Sequence, residues 1–382
     1  MKMRLATSGT RFLTLAFAVW LVCYVSALGD SAGQAAKDAA IVETLLRLPN
    51  IDVNKNEKMK AAVTRYLESR KGTERYLELV EKFNLKDTGQ ELLRLIGEDP
   101  SSSLAVRAAG LLLKSDENVA FLQKAIHSND EEASVGVVTS LGLVGNNRVV
   151  EMLIPLVTDV KRPIALRTAA AQGLGRNRNG ELYLLELVQT SKLPKELKFV
   201  VGDILHSSAN ETTRTEVAKY IELPATAAGE PLPTIAQLLQ KAGDALHGKK
   251  VYETNGTCAK CHIVHKQGKE VGPNLSEIGS KLSKEAMYVS ILDPNAGISH
   301  NYENYSILLD DGTAITGVKI SETDDSITLR TAEAIDRTIE RSAIDEFKKQ
   351  PTSLMPSNLQ KVMTVQDLVD VVEFLTTLKK PN

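Results

Sequence analysis

Aromatic residues make up only 4% of this 382-residue chain, and its one tryptophan, Trp20, lies near the amino terminus. Such scarcity argues against an aromatic-lined sugar cleft or a base-stacking surface. A surplus of charge is also missing: 46 Lys and Arg face 48 Asp and Glu, a formal net charge of −2, so no basic field points to nucleic acid. Three cysteines are too few for a disulfide framework. With 43% hydrophobic and 25% charged residues, the composition is that of a globular protein rather than a disordered, collagen-like or polytopic membrane chain. The length allows about two or three domains.

The long acid-free apolar run lies at the start, from Phe12 to Leu28, behind Lys2, Arg4 and Arg11. Val25-Ser26-Ala27 offers the small residues a signal peptidase reads, so residues 1–27 are expected to be a signal peptide and the protein exported to a bacterial periplasm or beyond. If retained, the segment would be a membrane anchor, although its 17 residues fall short of the roughly 20 that comfortably span a bilayer. Val22 before Cys23 is too large for a lipobox. Cleavage leaves two cysteines, Cys258 and Cys261.

Residues 34–222 read as helical. Leu122, Leu153 and Leu185 recur 31 and 32 residues apart within amphipathic runs, and Pro100, Pro163 and Pro194 each stand ahead of an apolar run, where a fixed φ suits a helix start. Helix pairs at this period resemble short HEAT-like repeats, which stack because one pair cannot bury its apolar face, and which present docking surfaces. An irregular helical bundle is the alternative. Gly173, Gly175 and Gly180 lack the strand and spacing of a dinucleotide fingerprint and read as an inter-helix turn. Gly243 to Lys249 reads G-x-x-x-x-G-K, but Lys250 replaces the hydroxyl residue that would hold Mg²⁺. Residues 223–233, with Pro224, Pro231 and Pro233, read as a linker.

The strongest chemical signal follows: Cys258-Ala259-Lys260-Cys261-His262. Two thiols at this spacing can each add to a haem vinyl group while the adjoining histidine reaches the iron. A thioredoxin-like pair would need a βαβ context, and a zinc site would need further Cys or His at ligand spacing, where only His265 is near.

From about Thr234 to Lys380 the chain resembles the class I cytochrome c fold, and more narrowly the haem-binding domain family of planctomycete and verrucomicrobial type, which commonly follows HEAT repeats. Gly248 and Tyr252 stand where that family's first helix places a glycine and an aromatic residue, with Phe374 expected near the Gly248 turn. Gly272-Pro273-Asn274-Leu275 matches its G-P-x-L, Ile291 to Asn295 a further signature, and Ser353-Leu354-Met355-Pro356 the segment supplying a distal methionine. The resemblance implies one haem c tethered by Cys258 and Cys261, His262 as proximal iron ligand with its ring held by the Pro273 carbonyl, and Met355 as distal ligand. Thr364 and Asp367 form a capping pattern ahead of an amphipathic closing helix.

Met355 comes 93 residues after His262, and between them about 302–343 reads as a small β-module: Tyr305, Ile307 and Leu309 alternate, Asp311-Gly312 signals a hairpin, and Ile327 and Leu329 alternate again. Residues 303–346 carry 11 acidic and 4 basic side chains, whereas 248–285 carry 7 basic and 4 acidic; this is either solvated surface or a polarised docking face. His300 is the rival sixth ligand, for a bis-His iron; Met363 and Met287 read as packing residues, His265 as exposed, and His127 and His206 as surface or satisfied helix histidines.

The expected architecture is thus mainly α: a HEAT-like repeat domain (34–222), a linker (223–233) and a cytochrome c-like haem domain (234–382) with a β insert. The expected function is one-electron transfer with a redox protein partner, a periplasmic dehydrogenase or another cytochrome, and no nucleic acid. Two other classes stay open: a peroxidase-like haem enzyme or sensor with an open sixth position, and a scaffold whose haem is structural.

Overall fold

The computed structural model describes residues 33–48 and 51–381; the segment read as a signal peptide lies outside them. The fold is mainly helical with one small antiparallel sheet toward the carboxy terminus. Among the described residues no helix is long and apolar enough to cross a membrane. The chain divides after Gln123 into two compact units.

The first unit holds α1 (33–46), α2 (Glu57–Glu68), α3 (Glu74–Phe83), α4 (Gly89–Glu98) and α5 (Ser103–Leu112). Asn56, Thr73 and Ser102 cap α2, α3 and α5 by accepting from backbone N–H groups one turn in, which satisfies donors that a helix start leaves unpaired. The next helix, α6 (Asp116–Ile126), spans the division.

The second unit begins with α7 (Glu131–Val144), α8 (Asn147–Thr158), α9 (Ile164–Leu174), α10 (Arg178–Gln189), α11 (Lys198–His206) and α12 (Glu211–Val217). Each packs on the helix two places along, α7 on α9, α9 on α11, α8 on α10 and α10 on α12, the pattern of stacked helix pairs. Leu122, Leu153 and Leu185 are all buried, on α6, α8 and α10. Pro163 and Pro194 occupy the residue just before their helical segments, α9 and the 3-10 turn Lys195–Leu197 that leads into α11. Gly173 proves to be a crossing point inside α9 rather than a turn residue: a Cβ on Gly142 of α7 would sit 2.6 Å from its Cα, so neither position tolerates a side chain without separating the two helices.

The rest of the unit is the candidate haem domain: α13 (Ile235–Leu238), α14 (Ala245–Glu253), α15 (Lys284–Leu292) and α16 (Val365–Thr377). Asp244 caps α14, and Thr364 and Asp367 form the full capping box on α16. The two helices cross at Gly248, whose added Cβ would lie 1.9 Å from the Asp370 carbonyl oxygen, and Tyr252 meets Phe374 edge-on with ring centres 5.6 Å apart. The glycine-lysine run that imitates a phosphate loop is therefore a helix crossing. Buried Asp370 accepts from the Asp244 N–H, Gln366 and His247, each at 2.8 Å. Burial alone would raise its carboxyl, but these bonds outweigh it and hold the group below the usual range.

The preceding helices back this domain directly. Phe199 packs on its core, the Asp203 carboxylate accepts from Ile235 N–H at 2.8 Å, and the Thr168 hydroxyl donates to the Ala296 carbonyl at 3.4 Å. Between them, 223–233 closes on itself through an Ala225–Pro231 bridge and buries Leu232.

The β-module comprises β1 (Asn304–Leu309), β2 (Ala314–Glu322), β3 (Ser326–Arg330), β4 (Asp336–Glu340) and β5 (Ile344–Lys349), in the order β4-β3-β2-β1-β5. It is an antiparallel sheet with β4 and β5 as its edge strands, and it runs to Lys349, past the expected end near residue 343. β5 escapes a period-2 search because its register with β1 slips at Leu308/Leu309, so Ile344 and Phe347 stand three apart, the mark of a bulge. The added strand brings Lys348 and Lys349, giving 11 acidic and 6 basic side chains over 303–349.

Candidate haem site

Thr257, in the left-handed region at φ +57°, turns the chain out of α14, and Cys258–Lys260 forms one 3-10 turn. Cys261 and His262 N–H groups both donate to the Cys258 carbonyl, at 3.0 and 2.9 Å. The chain then folds back, and Val271 and Gly272 N–H groups donate to the Cys261 carbonyl at 2.9 and 2.7 Å. That return needs Gly268, which has φ +105° and whose added Cβ would lie 2.1 Å from the His262 carbonyl oxygen.

The return brings Pro273 to the histidine. His262 Nδ1 lies 2.8 Å from the Pro273 carbonyl oxygen, so Nδ1 carries the proton and Nε2 keeps its lone pair. Burial pushes the imidazole pKa down and the Pro273 bond offsets part of that shift, so the ring is neutral at pH 7, the state a metal ligand requires. Two further contacts hold it. The Tyr252 hydroxyl donates to the His262 carbonyl at 3.0 Å, and Gly272 lies flat against the ring, where an added Cβ would come within 2.5 Å of Cε1. Sequence reasoning gave Tyr252 and Gly272 only a family position; their work is to pin His262.

Both cysteines are free thiols. Burial pushes the Cys258 thiol up to about 11, and Cys261 is raised for the same reason. Among the described residues no cluster of three or more His, Cys, Asp or Glu is arranged to hold a metal ion.

Cys258, Cys261, His262, Pro273 and Met355 all line one cavity of about 360 Å³, within the range of small-molecule and cofactor sites. Its walls are largely apolar, with Val271, Leu275, Ile278, Met287, Ile291 and Leu359 among them. These residues fit a haem c: two thiols one turn apart, a neutral histidine with a fixed Nδ1–H, a thioether, and an apolar chamber. The β-module contributes Val318 and Ala332 to the wall and is tied alongside by Arg330 to the Glu270 carbonyl at 2.8 Å and Lys269 to the Glu333 carbonyl at 3.2 Å.

The other candidates fall elsewhere. His300 has an 87% exposed side chain near Glu303 and does not line the cavity. His265 is exposed. His206 is bonded to the Ile221 carbonyl at 2.8 Å and His127 to Arg162. Met363 is buried in the core, as is Met287, which also faces the cavity.

Residues 245–307 match the cytochrome c family model, which supports a c-type cytochrome with haem c and haem-based electron transfer. The matched stretch takes in α14, the Cys-x-x-Cys-His turn, the Pro273 segment and α15, and stops within β1. No curated protein matches the chain.

Proposed function

We propose that the chain is an exported monohaem c-type cytochrome that passes single electrons between protein partners, with HEAT-like helical pairs over 34–222 as the docking scaffold and a haem domain over 234–382. In this reading Cys258 and Cys261 carry the thioethers, His262 and Met355 are the axial ligands, and the Pro273 carbonyl orients the histidine. The convergence of all five on one apolar cavity supports it most. Haem c, when bound, supplies a one-electron Fe(III)/Fe(II) couple, whose potential a His/Met pair raises.

The chain's own residues do the rest. Tyr252, Gly272 and Pro273 fix the His262 ring, so little need reorganise as charge changes. The apolar walls exclude water. Lys249, Lys260 and Lys266 flank or lie within the tether segment in sequence and offer an acidic partner, a periplasmic dehydrogenase or another cytochrome, an attractive face. Lys269, also exposed, donates to the Glu333 carbonyl at 3.2 Å.

The test is covalent attachment. Haem staining should stay with the polypeptide through acid-acetone extraction and denaturing gels, and the mass should rise by one haem. Complete loss of haem under those conditions overturns the proposal; a mass gain of two haems overturns the monohaem reading.

A further inference from the structure

A ligand that follows a five-stranded insertion is not placed by its neighbours in sequence, so something else must bring Met355 to the cavity. Two clamps close the gap. At the foot of the sheet the Gln350 N–H donates to the Asn304 carbonyl at 2.8 Å. Three residues on, the Ser353 N–H donates to Asn295 Oδ1 at 2.8 Å, and the Met355 N–H donates to Ser353 Oγ at 3.1 Å.

The acceptor side of the second clamp is rigid. Asn295 sits in a turn closed by Ala296 N–H to the Asp293 carbonyl at 2.9 Å, and its own N–H bonds the Asp293 carboxyl. Asp293, Pro294 and Ala296 are buried, Thr168 of α9 holds the Ala296 carbonyl, and Pro294 and Ser353 both line the haem cavity. The Ile291–Asn295 signature thereby gains a role that haem attachment alone does not give it.

We infer that Asn295 is the positioning residue for the sixth ligand: its Oδ1 holds Ser353, and through Ser353 the backbone of Met355, against a turn fixed by its own hydrogen bonds. The inference rests on the reading of Met355 as axial ligand. Without the Asn295 bond, the segment after β5 keeps its clamp at Gln350 but loses its register beside the cavity, and Met355 spends more time away from the iron.

The experiment uses the full haem-loaded chain as wild type, Met355→Ala, Asn295→Ala, Asn295→Asp and Ser353→Ala. It reads the weak red sulfur-to-iron charge-transfer band and the affinity for imidazole, which competes with the thioether. The wild type should show the band and Met355→Ala should lose it. Asn295→Ala should weaken the band and bind imidazole about three- to tenfold more tightly, the effect of one lost hydrogen bond. Asn295→Asp, which keeps an acceptor oxygen, should return within about twofold of wild type, and Ser353→Ala should fall between. If Met355→Ala abolishes the band while Asn295→Ala binds imidazole as the wild type does, the positioning role is wrong and Met355 ligation stands. A wild type without the band, or a band that survives Met355→Ala, overturns both. Should Asn295→Ala fail to fold, Ser353→Ala carries the same criterion: unchanged imidazole affinity overturns the inference.

Discussion

Replacing Gly272 by alanine asks whether the histidine is held as tightly as its surroundings indicate. The backbone there is not in the left-handed region, so alanine meets no strain in φ, and the effect is contact alone. Its Cβ would stand 2.5 Å from His262 Cε1 and 2.9 Å from Nδ1, against an optimal carbon–carbon separation of about 3.5–4.0 Å. The ring must therefore retreat by about 1 Å, and it has little room, since the Tyr252 hydroxyl holds the same residue's carbonyl. A retreat of that size stretches the 2.8 Å bond to Pro273 beyond hydrogen-bonding reach. Overpacking costs about 1–3 kcal/mol and the lost bond about 1 kcal/mol, so urea unfolding should show a loss of about 2–4 kcal/mol. A weaker Nδ1–H bond also makes the imidazole a poorer donor, so the reduction potential should rise. A variant within about 0.5 kcal/mol of wild type and with unchanged potential would refute the account.

Gly248→Ala should cost about 3 kcal/mol or more, because its Cβ meets backbone at the α14–α16 crossing; a melting temperature equal to wild type would contradict that crossing. Asp203 and Asp293 line a second cavity beside α11, and burial pushes both carboxyls up to about 6. The folded state therefore binds the extra proton more tightly: the associated stability is full below pH about 4 and lost as pH rises through about 6. Relative to Asp203→Asn or Asp293→Asn, the wild type should lose up to about 3 kcal/mol per carboxyl between pH 4 and 8, and parallel stability curves would show that the burial is not felt. Electron transfer to an acidic partner should slow as salt is raised from low ionic strength, and Lys260→Ala should lower the rate at low salt; a rate unchanged by the substitution would place the docking face elsewhere.

What was legible in the sequence was whatever depends on residues close together along it. The capping box of α16 needs only Thr364 and Asp367, and the Cys-x-x-Cys-His turn needs five consecutive residues. The leucine period fell on Leu122, Leu153 and Leu185, which are buried on α6, α8 and α10. What stayed hidden depends on chain return. Gly272 matters because the loop after Gly268 brings it against His262, and no spacing rule expresses that contact. β5 was missed because a bulge breaks its alternation. His247, unassigned from sequence, supports the buried Asp370 only because α14 crosses α16.

The cytochrome core is discontinuous in sequence and continuous in space. Tyr252, Val264 and Met287, from before the sheet, pack in one cluster with Leu368, Val372 and Phe374, from after it, whereas the sheet has its own small core of Ile307, Ile327, Leu329 and Ile339. An insertion is tolerable on such terms. Lengthening a closed loop adds only about 0.6 kcal/mol for each doubling, and a segment with its own core offsets its own ordering. The family match ends within β1, where the chain leaves the shared core, while Met355 and α16 lie where it comes back. The clamps at Asn304 and Asn295 lie at that place of return. A sheet that also walls the cavity through Val318 and Ala332 couples its own folding to the chamber beside it, so destabilising the Ile307–Ile339 core should disturb Met355 before it disturbs the turn that carries Cys258 and Cys261.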